Sequence, residues 1–361
     1  MALALSLGRR GLGRVWPNPA VGCVIVKDGR IVGRGSTALG GRPHAEPQAL
    51  QQAGPAARGA AAYVSLEPCA HDGQTPPCTD ALIAAGIARV VTAMEDPDPR
   101  VSGKGHAALK AAGIAVRTGV LADEAARDQA GFLSRIIHGR PRLTLKLAAS
   151  FDGRIATASG ESQWITGPAA RRMVHAMRMR HDAVLVGGGT ARADDPMLTV
   201  RDLGVTHQPV RLVASRHLNL PQNGRLAQSA AQIPLWLLHG DRPGDLPTKD
   251  HETWAAHGAT CVPVAVGPSG QLDPAAMLDA LGGLGLTRVF CEGGGALAAS
   301  LLNAGLVDEL VGFTAGIALG AEGQPALGAM GVAELDGAAR FDLVEATAVG
   351  DDLLHRWRRR N

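Results

Sequence analysis

The sequence predicts two α/β domains in tandem, an α/β sandwich followed by a separate open α/β sheet. Three observations carry this. At 361 residues the chain exceeds the length at which a single core usually stops growing. Strand and helix patterns alternate at short intervals along both halves. Between the two alternations Gly131, Gly139 and Pro141 punctuate a basic stretch, which places a boundary near residues 131–141 and domains over 1–138 and 139–361.

The first residues read as a short amphipathic helix, because no basic segment precedes their apolar stretch. Strands over 21–26 and 30–34 flank Asp28-Gly29, a strong two-residue hairpin signal. A helix over 46–53, a buried strand over 61–66 and a long loop follow. A helix over 80–85, a strand over 89–94, a helix over 106–112 and a strand over 114–117 complete the first domain. In the second, strands are expected over 143–148, 183–186, 210–214, 235–238, 288–291 and 309–314. Its helices are expected over 168–180, 274–281 and 296–304, and residues 341–357 read as a terminal hairpin turning at Gly350-Asp351.

Composition narrows the function classes. A formal net charge of +3 with 3% aromatic residues disfavours a nucleic-acid groove. The basic tail Arg356-Trp357-Arg358-Arg359-Arg360 reads as a solvated terminus. No apolar run approaches ~18 residues, so no membrane partner is expected. Five cysteines in a long chain form an odd, sparse set, which argues for a reducing, cytoplasmic setting over a disulfide framework.

The sharpest chemistry lies in His44-Ala45-Glu46, Pro68-Cys69 and Cys78. Singly, each would be a helix cap or small apolar filler. Together they supply one imidazole and two thiolates, the donor set of a catalytic zinc with a fourth position open for water. Glu46, two residues after a ligand at a helix start, is placed to carry protons between that water and a leaving amine. The pattern predicts a hydrolytic zinc deaminase, although its C-x8-C spacing departs from the general C-x-x-C form. A zinc-stabilised binding module is disfavoured, because a structural zinc takes four protein ligands and has no use for Glu46.

The surrounding motifs resemble the bifunctional deaminase/reductase family of riboflavin biosynthesis, in which the long cysteine spacing is normal. They are Pro17-Asn18-Pro19-Ala20-Val21-Gly22, Gly41-Arg42-Pro43-His44-Ala45-Glu46, Leu66-Glu67-Pro68-Cys69-Ala70-His71, Thr75-Pro76-Pro77-Cys78 and Asp96-Pro97-Asp98-Pro99-Arg100-Val101-Ser102-Gly103-Lys104-Gly105. The resemblance covers nearly the whole chain. It implies a cytidine-deaminase-like α/β/α sandwich that deaminates a phosphoribosylamino-bearing diaminopyrimidine, with Asn18 hydrogen-bonding the ring. Two positions depart from the family. Thr37 stands where a His is common, and Gln74 where Lys or Arg is common, so phosphate contacts are expected to weaken unless Arg42, His71 or Lys104 substitutes.

The second domain is less explicit on its own residues. Glu292-Gly293-Gly294-Gly295 between a strand and a helix, and Gly187-Gly188-Gly189-Thr190 after another strand, suit close approach of a nucleotide phosphate. Ser215-Arg216 at a third strand end suits a 2′-phosphate, hence NADP over NAD, although on these two residues alone an exposed turn is the plainer reading.

Lys146-Leu147-Ala148-Ala149-Ser150-Phe151-Asp152-Gly153-Arg154, Ser159-Gly160-Glu161-Ser162-Gln163-Trp164-Ile165-Thr166 and Ala193-Asp194-Asp195-Pro196-Met197-Leu198-Thr199-Val200-Arg201 look like the family's reductase motifs. They imply a dihydrofolate-reductase-like domain that reduces the ribosyl chain with NADPH. The cofactor would touch Ala148, Trp164, Thr190, Asp194, Ser215 and the run Gly294, Gly295, Ala296, Leu297, Ala298, Ala299 and Ser300. Substrate would be held by Ser162, Arg178, Leu198, Arg201 and Glu292, with both arginines as phosphate clamps. Lys146, Glu292 and Asp194 are the candidates for handling the proton. The resemblance implies one zinc ion per chain, phosphorylated pyrimidine substrates and a homo-oligomer, a dimer by preference. The alternative is a deaminase alone, whose reductase-like half serves dimerisation.

Overall fold

The computed structural model describes residues 1–71, 73, 75–241 and 248–360. The chain divides into two compact units, Met1–Gly139 and Arg140–Asn361.

The first unit runs α1 (Ala2–Arg9), β1 (Gly22–Lys27), β2 (Arg30–Ser36), α2 (Ala45–Ala53), β3 (Ala61–Val64), α3 (Cys78–Ala84), β4 (Arg89–Thr92), α4 (Lys104–Ala111), β5 (Ala115–Arg117) and α5 (Ala122–His138). Its five strands form one sheet in the order β2-β1-β3-β4-β5. β1 is antiparallel to both β2 and β3, whereas β3, β4 and β5 are parallel. Asp28 and Gly29 turn the hairpin with φ of 49° and 74°, the left-handed pair that a tight turn of this kind needs.

Helix α2 lies unusually close to β2. A Cβ at Gly35 would stand 2.0 Å from the Ala45 carbonyl oxygen, and one at Gly33 would stand 2.1 Å from that of Ala49. Only glycine permits that approach. Ile25, Val64, Leu82, Val90 and Leu109 fill the core beneath.

The stretch near residues 131–141, where the domain boundary is expected, is largely helical. α5 runs through Gly131 and stops at Gly139, whose φ of 73° ends it. Phe132, Leu133 and Ile136 pack on the core of the first unit, and that apolar stripe outweighs the single glycine.

The second unit runs β6 (Arg142–Ser150), β7 (Arg154–Ala156), α6 (Pro168–Met179), β8 (Ala183–Gly187), α7 (Gly188–Asp194), β9 (Val210–Ala214), α8 (Arg225–Gln228), β10 (Leu235–Gly240), α9 (Thr248–Ala256) and β11 (Thr260–Val264). It continues through α10 (Pro274–Gly283), β12 (Arg288–Gly293), α11 (Gly295–Asn303), β13 (Glu309–Ala315), β14 (Gln324–Pro325), β15 (Phe341–Val349) and β16 (Asp352–Arg359). Nine strands form an open sheet in the order β11-β10-β9-β8-β12-β6-β13-β16-β15. It is parallel from β11 to β13 and antiparallel at the terminal hairpin.

Burial of apolar side chains on both faces is what such a sheet requires. Val184, Val213, Leu237 and Trp254 pack on one side of the strand order, and Phe290, Val311, Phe313 and Leu354 fill the other.

The basic tail is part of the sheet through Arg359, and only its Arg358, Arg359 and Arg360 stay exposed as expected. Arg356 lies within β16, between β13 and β15, with its Nε 3.4 Å from Glu309 Oε1 and 3.6 Å from Glu345 Oε2. Among the described residues, no helix is long and apolar enough to cross a membrane.

Candidate functional site

His44 is the N-cap of α2, which sets its ring at the helix mouth and puts Glu46 in the first turn. Cys78 is the first residue of α3, and Cys69 lies on the loop after β3. His44 Nδ1 stands 3.4 Å from Cys78 Sγ and 3.7 Å from Cys69 Sγ. The backbone N–H of Cys78 donates to Cys69 Sγ at 3.4 Å.

All three ligand atoms lie within 4.8 Å of one another. Metal–ligand bonds of about 2.3 Å to sulfur and about 2.05 Å to nitrogen give a tetrahedron edges of roughly 3.5–3.8 Å, so the donor set fits zinc. His44 Nε2 is buried with no hydrogen-bond partner.

The electrostatics agree with a site made for a cation. Hydrogen bonding between the two sulfurs draws the Cys69 thiol down to about 4 and pushes the Cys78 thiol far up. The hydrogen bond to Cys69 raises His44 in turn. Glu46, 3% exposed, is pushed up to about 7 chiefly by burial, and the charge of Cys69 adds to the shift.

A cavity of about 240 Å³ opens onto His44, Glu46 and Cys69, with Asn18, Thr37 and Arg42 also on its wall. Asn18 Nδ2 donates to the Gly41 carbonyl at 3.1 Å. Thr37 Oγ1 accepts from Val21 N at 2.9 Å and donates to Pro19 O at 3.0 Å, so Thr37 ties the loop that follows Asn18. Gln74 lies outside the described residues. Of the possible substitutes, Arg42 bonds Thr75, His71 lines the cavity, and Lys104 donates to Pro99 O at 2.8 Å.

Sequence reasoning assigned no role to Glu67. Its buried carboxylate accepts the N–H groups of Asp96 at 3.2 Å and of Gly103 and His106 at 3.0 Å each. It thereby fastens the 96–103 loop, which lines the cavity with Asp96 and Asp98, to the segment carrying Cys69. Burial pushes Asp96 up to about 6. An acid directly before Pro68-Cys69 was the available signal.

In the second unit β6 and β12 pair in parallel with Leu145 opposite Cys291, and the next residues are Lys146 and Glu292. Arg178, at the end of α6, grips Glu292 through two nitrogens, with Nη2 2.9 Å from Oε2. Its Nη1 donates to Thr199 O at 2.8 Å. Burial lowers the Lys146 amine, with Glu292 opposing. Burial also pushes the Glu292 carboxyl upward, but the charge and hydrogen bonds of Arg178, with Lys146, outweigh it and hold Glu292 below the usual range.

The remaining predicted residues are more scattered. Thr190 Oγ1 would stand 2.9 Å from a Cβ on Gly294, so the two glycine turns abut and leave a cradle that side chains would fill. Gly294 caps α11, whose first residues are Gly295, Ala296, Leu297, Ala298, Ala299 and Ser300. Ala148 is on β6, and Ser215, 7% exposed, follows β9. Burial raises the Asp194 carboxyl at the end of α7. Trp164 is exposed, with the Arg171 guanidinium 4.5 Å from its ring centroid, and Ser162 is half-buried nearby in sequence. Leu198 is buried, and Arg201 is exposed with its N–H 3.3 Å from His175 Nδ1.

Comparison with known proteins extends this picture. The family model of the RibD C-terminal domain matches residues 141–355, and that of the cytidine and deoxycytidylate deaminase zinc-binding region matches residues 1–94. The chain is 43% identical over 357 residues to riboflavin biosynthesis protein RibD of Escherichia coli (strain K12), covering 98% of this chain and 96% of that protein. It is 40% identical to the RibD of Haemophilus influenzae, covering 98% and 95%. Its fold is similar to Acinetobacter baumannii RibD, form 2, with a TM-score of 0.87 at 37% identity over 99% of this chain and 97% of that one. It is also similar to a diaminohydroxyphosphoribosylaminopyrimidine deaminase/5-amino-6-(5-phosphoribosylamino)uracil reductase from Thermotoga maritima, with a TM-score of 0.86 at 33% identity over 99% and 97%.

Proposed function

This chain belongs to the RibD family of riboflavin-biosynthesis proteins, and on that premise we propose how its two units and their residues divide the work. It is a bifunctional deaminase and reductase acting on small phosphorylated pyrimidines, with a zinc-binding deaminase region and an NADPH-using reductase domain. Deamination is assigned to residues 1–138 and reduction to residues 139–361. The observation that carries the first assignment is the convergence of His44, Cys69 and Cys78 beside buried Glu46.

His44 Nδ1 and the two sulfurs would hold the zinc. When bound, the metal supplies a Lewis acid that makes water nucleophilic at neutral pH. Glu46 takes the proton from that water and returns it to the departing amine. Asn18 orients the pyrimidine ring through its amide, and Gly41 makes room for it. A Cβ at Gly41 would stand 2.1 Å from Asn18 Nδ2. Arg42, one of the cations on the cavity wall, would meet the substrate phosphate.

In the second unit the glycine cradle of Thr190, Gly294 and Gly295 would seat the NADPH phosphates, with Ala148, Trp164 and Asp194 along the cofactor. NADPH supplies the hydride. Lys146 and Glu292 would deliver the proton that the ribose ring oxygen takes when its bond to C1 breaks, C1 being the carbon that accepts the hydride as the chain becomes ribityl. Arg178 orients Glu292, while Ser162, Leu198 and Arg201 frame the substrate.

A homodimer is the assembly we favour. Among the described residues β15 is an end strand of the sheet with no partner on its outer edge, Leu343 is 55% exposed, and a bare edge strand invites a partner. A cytoplasmic setting accords with five unpaired cysteines, two of them needed as thiolates.

One experiment tests the assignment. The protein is given the diaminopyrimidine phosphate, and ammonia release and NADPH consumption are followed in turn. Ammonia followed by oxidation of NADPH is expected. Ammonia without NADPH oxidation would remove the reductase residues from the scheme, and neither signal would remove both sets.

A further inference from the structure

A glycine at the start of α7 leaves a small space that two polar side chains share. A Cβ at Gly188 would stand 3.1 Å from Ser215 Oγ and 3.2 Å from Arg192 Nη1. Gly188 and Ser215 are buried, whereas Arg192 is exposed. Arg192 Nη1 donates to the Asn219 carbonyl oxygen at 2.8 Å, which fixes the guanidinium beside the end of β9 and uses one of its five N–H donors.

The nearby acid is engaged elsewhere. Asp195 Oδ1 accepts from Arg225 N at 2.8 Å, and its Oδ2 lies 3.8 Å from Arg225 Nε. Arg192 is therefore positioned by a backbone carbonyl and keeps its full charge for an incoming anion. Arg216, the cation next to Ser215 in sequence, turns to another segment, with its Nη1 2.5 Å from Gly270 O.

This corner adjoins the cradle already described. Thr190, two residues beyond Gly188, reaches across to Gly294. A nucleotide seated on those glycines would bring its adenosine end towards one side or the other of the cradle. The side with a buried hydroxyl and an exposed guanidinium suits a phosphomonoester, which carries close to two negative charges and three acceptor oxygens.

We propose that Arg192, with Ser215 Oγ beside it, binds the 2′-phosphate of the cofactor's adenosine ribose, so that Arg192 sets the preference for NADPH over NADH. The inference rests on the reading of the second unit as an NADPH-dependent reductase. NADH carries only a hydroxyl at that carbon, and a hydroxyl gains little from a guanidinium. Gly188 belongs to the same device, because a side chain there would press on both Ser215 and Arg192.

Calorimetric titration of the full-length protein tests this without turnover. The ligands are NADPH, NADH, adenosine 2′,5′-bisphosphate and AMP, and the proteins are wild type, Arg192→Ala and Arg192→Lys. Arg192→Ala is expected to weaken NADPH and the bisphosphate by roughly 10- to 100-fold, the scale of charge-assisted hydrogen bonds. NADH and AMP should bind the variant as they bind wild type, which also verifies its folding. Arg192→Lys should recover part of the loss. Equal weakening of NADPH and NADH, or none for NADPH, overturns the role of Arg192. Wild type binding neither NADPH nor the bisphosphate would instead overturn the reductase reading on which the inference rests.

Discussion

Arg178 and Glu292, 114 residues apart in the chain, form a two-pronged ion pair whose Nη2–Oε2 arm measures 2.9 Å. Lys146 feels the charge of the same carboxylate, so one largely covered anion faces two cations. Removing the anion would leave both half-buried cations without a counter-charge, with Arg178 keeping only its bond to Thr199 O.

Glu292→Gln is therefore expected to destabilise the second unit by about 1–3 kcal/mol, less than the cost of breaking a fully buried pair because both partners keep some contact with water. Reduction should fall at least roughly 100-fold, while ammonia release by the first unit is retained. Urea unfolding together with the two separate assays reads out all three effects.

In the first unit, holding the metal and moving the proton belong to different side chains. Cys69→Ser should cost the protein its zinc, measured by elemental analysis, and its ammonia release with it. Glu46→Gln should keep one zinc per chain yet slow ammonia release by roughly 10²–10⁴-fold, the range expected for a lost general acid/base. A zinc-free Glu46→Gln protein would show that Glu46 has a structural role instead.

His181 gives the second unit a pH dependence with a definite sign. Its Nδ1–H donates to Met177 O at 2.8 Å, and its Nε2 accepts from the Thr144 hydroxyl at 3.1 Å, so the neutral ring is the one that fits. Burial lowers it to about 4, with Arg288 and Arg142 reinforcing the shift and Glu309 and the bond to Met177 opposing it. As pH falls below about 6.5 the unfolded chain takes up this proton first, so stability is lost between about 6.5 and 4 and levels off below. The loss from this residue is on the order of 3 kcal/mol. Denaturation midpoints across that range should drop steeply for wild type and less for His181→Gln.

Glu67 acts on the deaminase site through the 96–103 loop. In Glu67→Gln the amide nitrogen would face backbone N–H groups it cannot accept from, which loosens that loop. The KM for deamination should rise by on the order of 10-fold, with zinc content unchanged and kcat less affected. An unchanged KM with reduced zinc would place Glu67 on the metal side of the cavity instead.

What the sequence makes legible divides along chain distance. His44, Glu46, Cys69 and Cys78 span 35 positions and carry their own spacing signal, and Asp28-Gly29 announces its hairpin. The grip of Arg178 on Glu292 depends on which strands become neighbours, which no local pattern encodes. β11 escaped notice because Pro263 interrupts it, a residue that only an edge strand tolerates, and β11 is indeed the edge. α5 was obscured by Gly131, since punctuation weighs heavily in a sequence while the core contacts of Phe132 and Ile136 are visible only after folding. The Gly188 space is legible only in three dimensions, because the side chains that share it lie 4 and 27 residues away.

Strand β2 contributes no ligand, yet Gly33 and Gly35 decide how far α2 stands from the sheet. A single methyl group at Gly35 would jack up the first turn of that helix, and with it the imidazole of His44 and the carboxylate of Glu46 together. Such a variant would present as a protein that has lost its metal although every metal-binding residue is intact. The tolerance of the catalytic centre is thus set from behind, by two absent side chains on a strand that never meets the substrate.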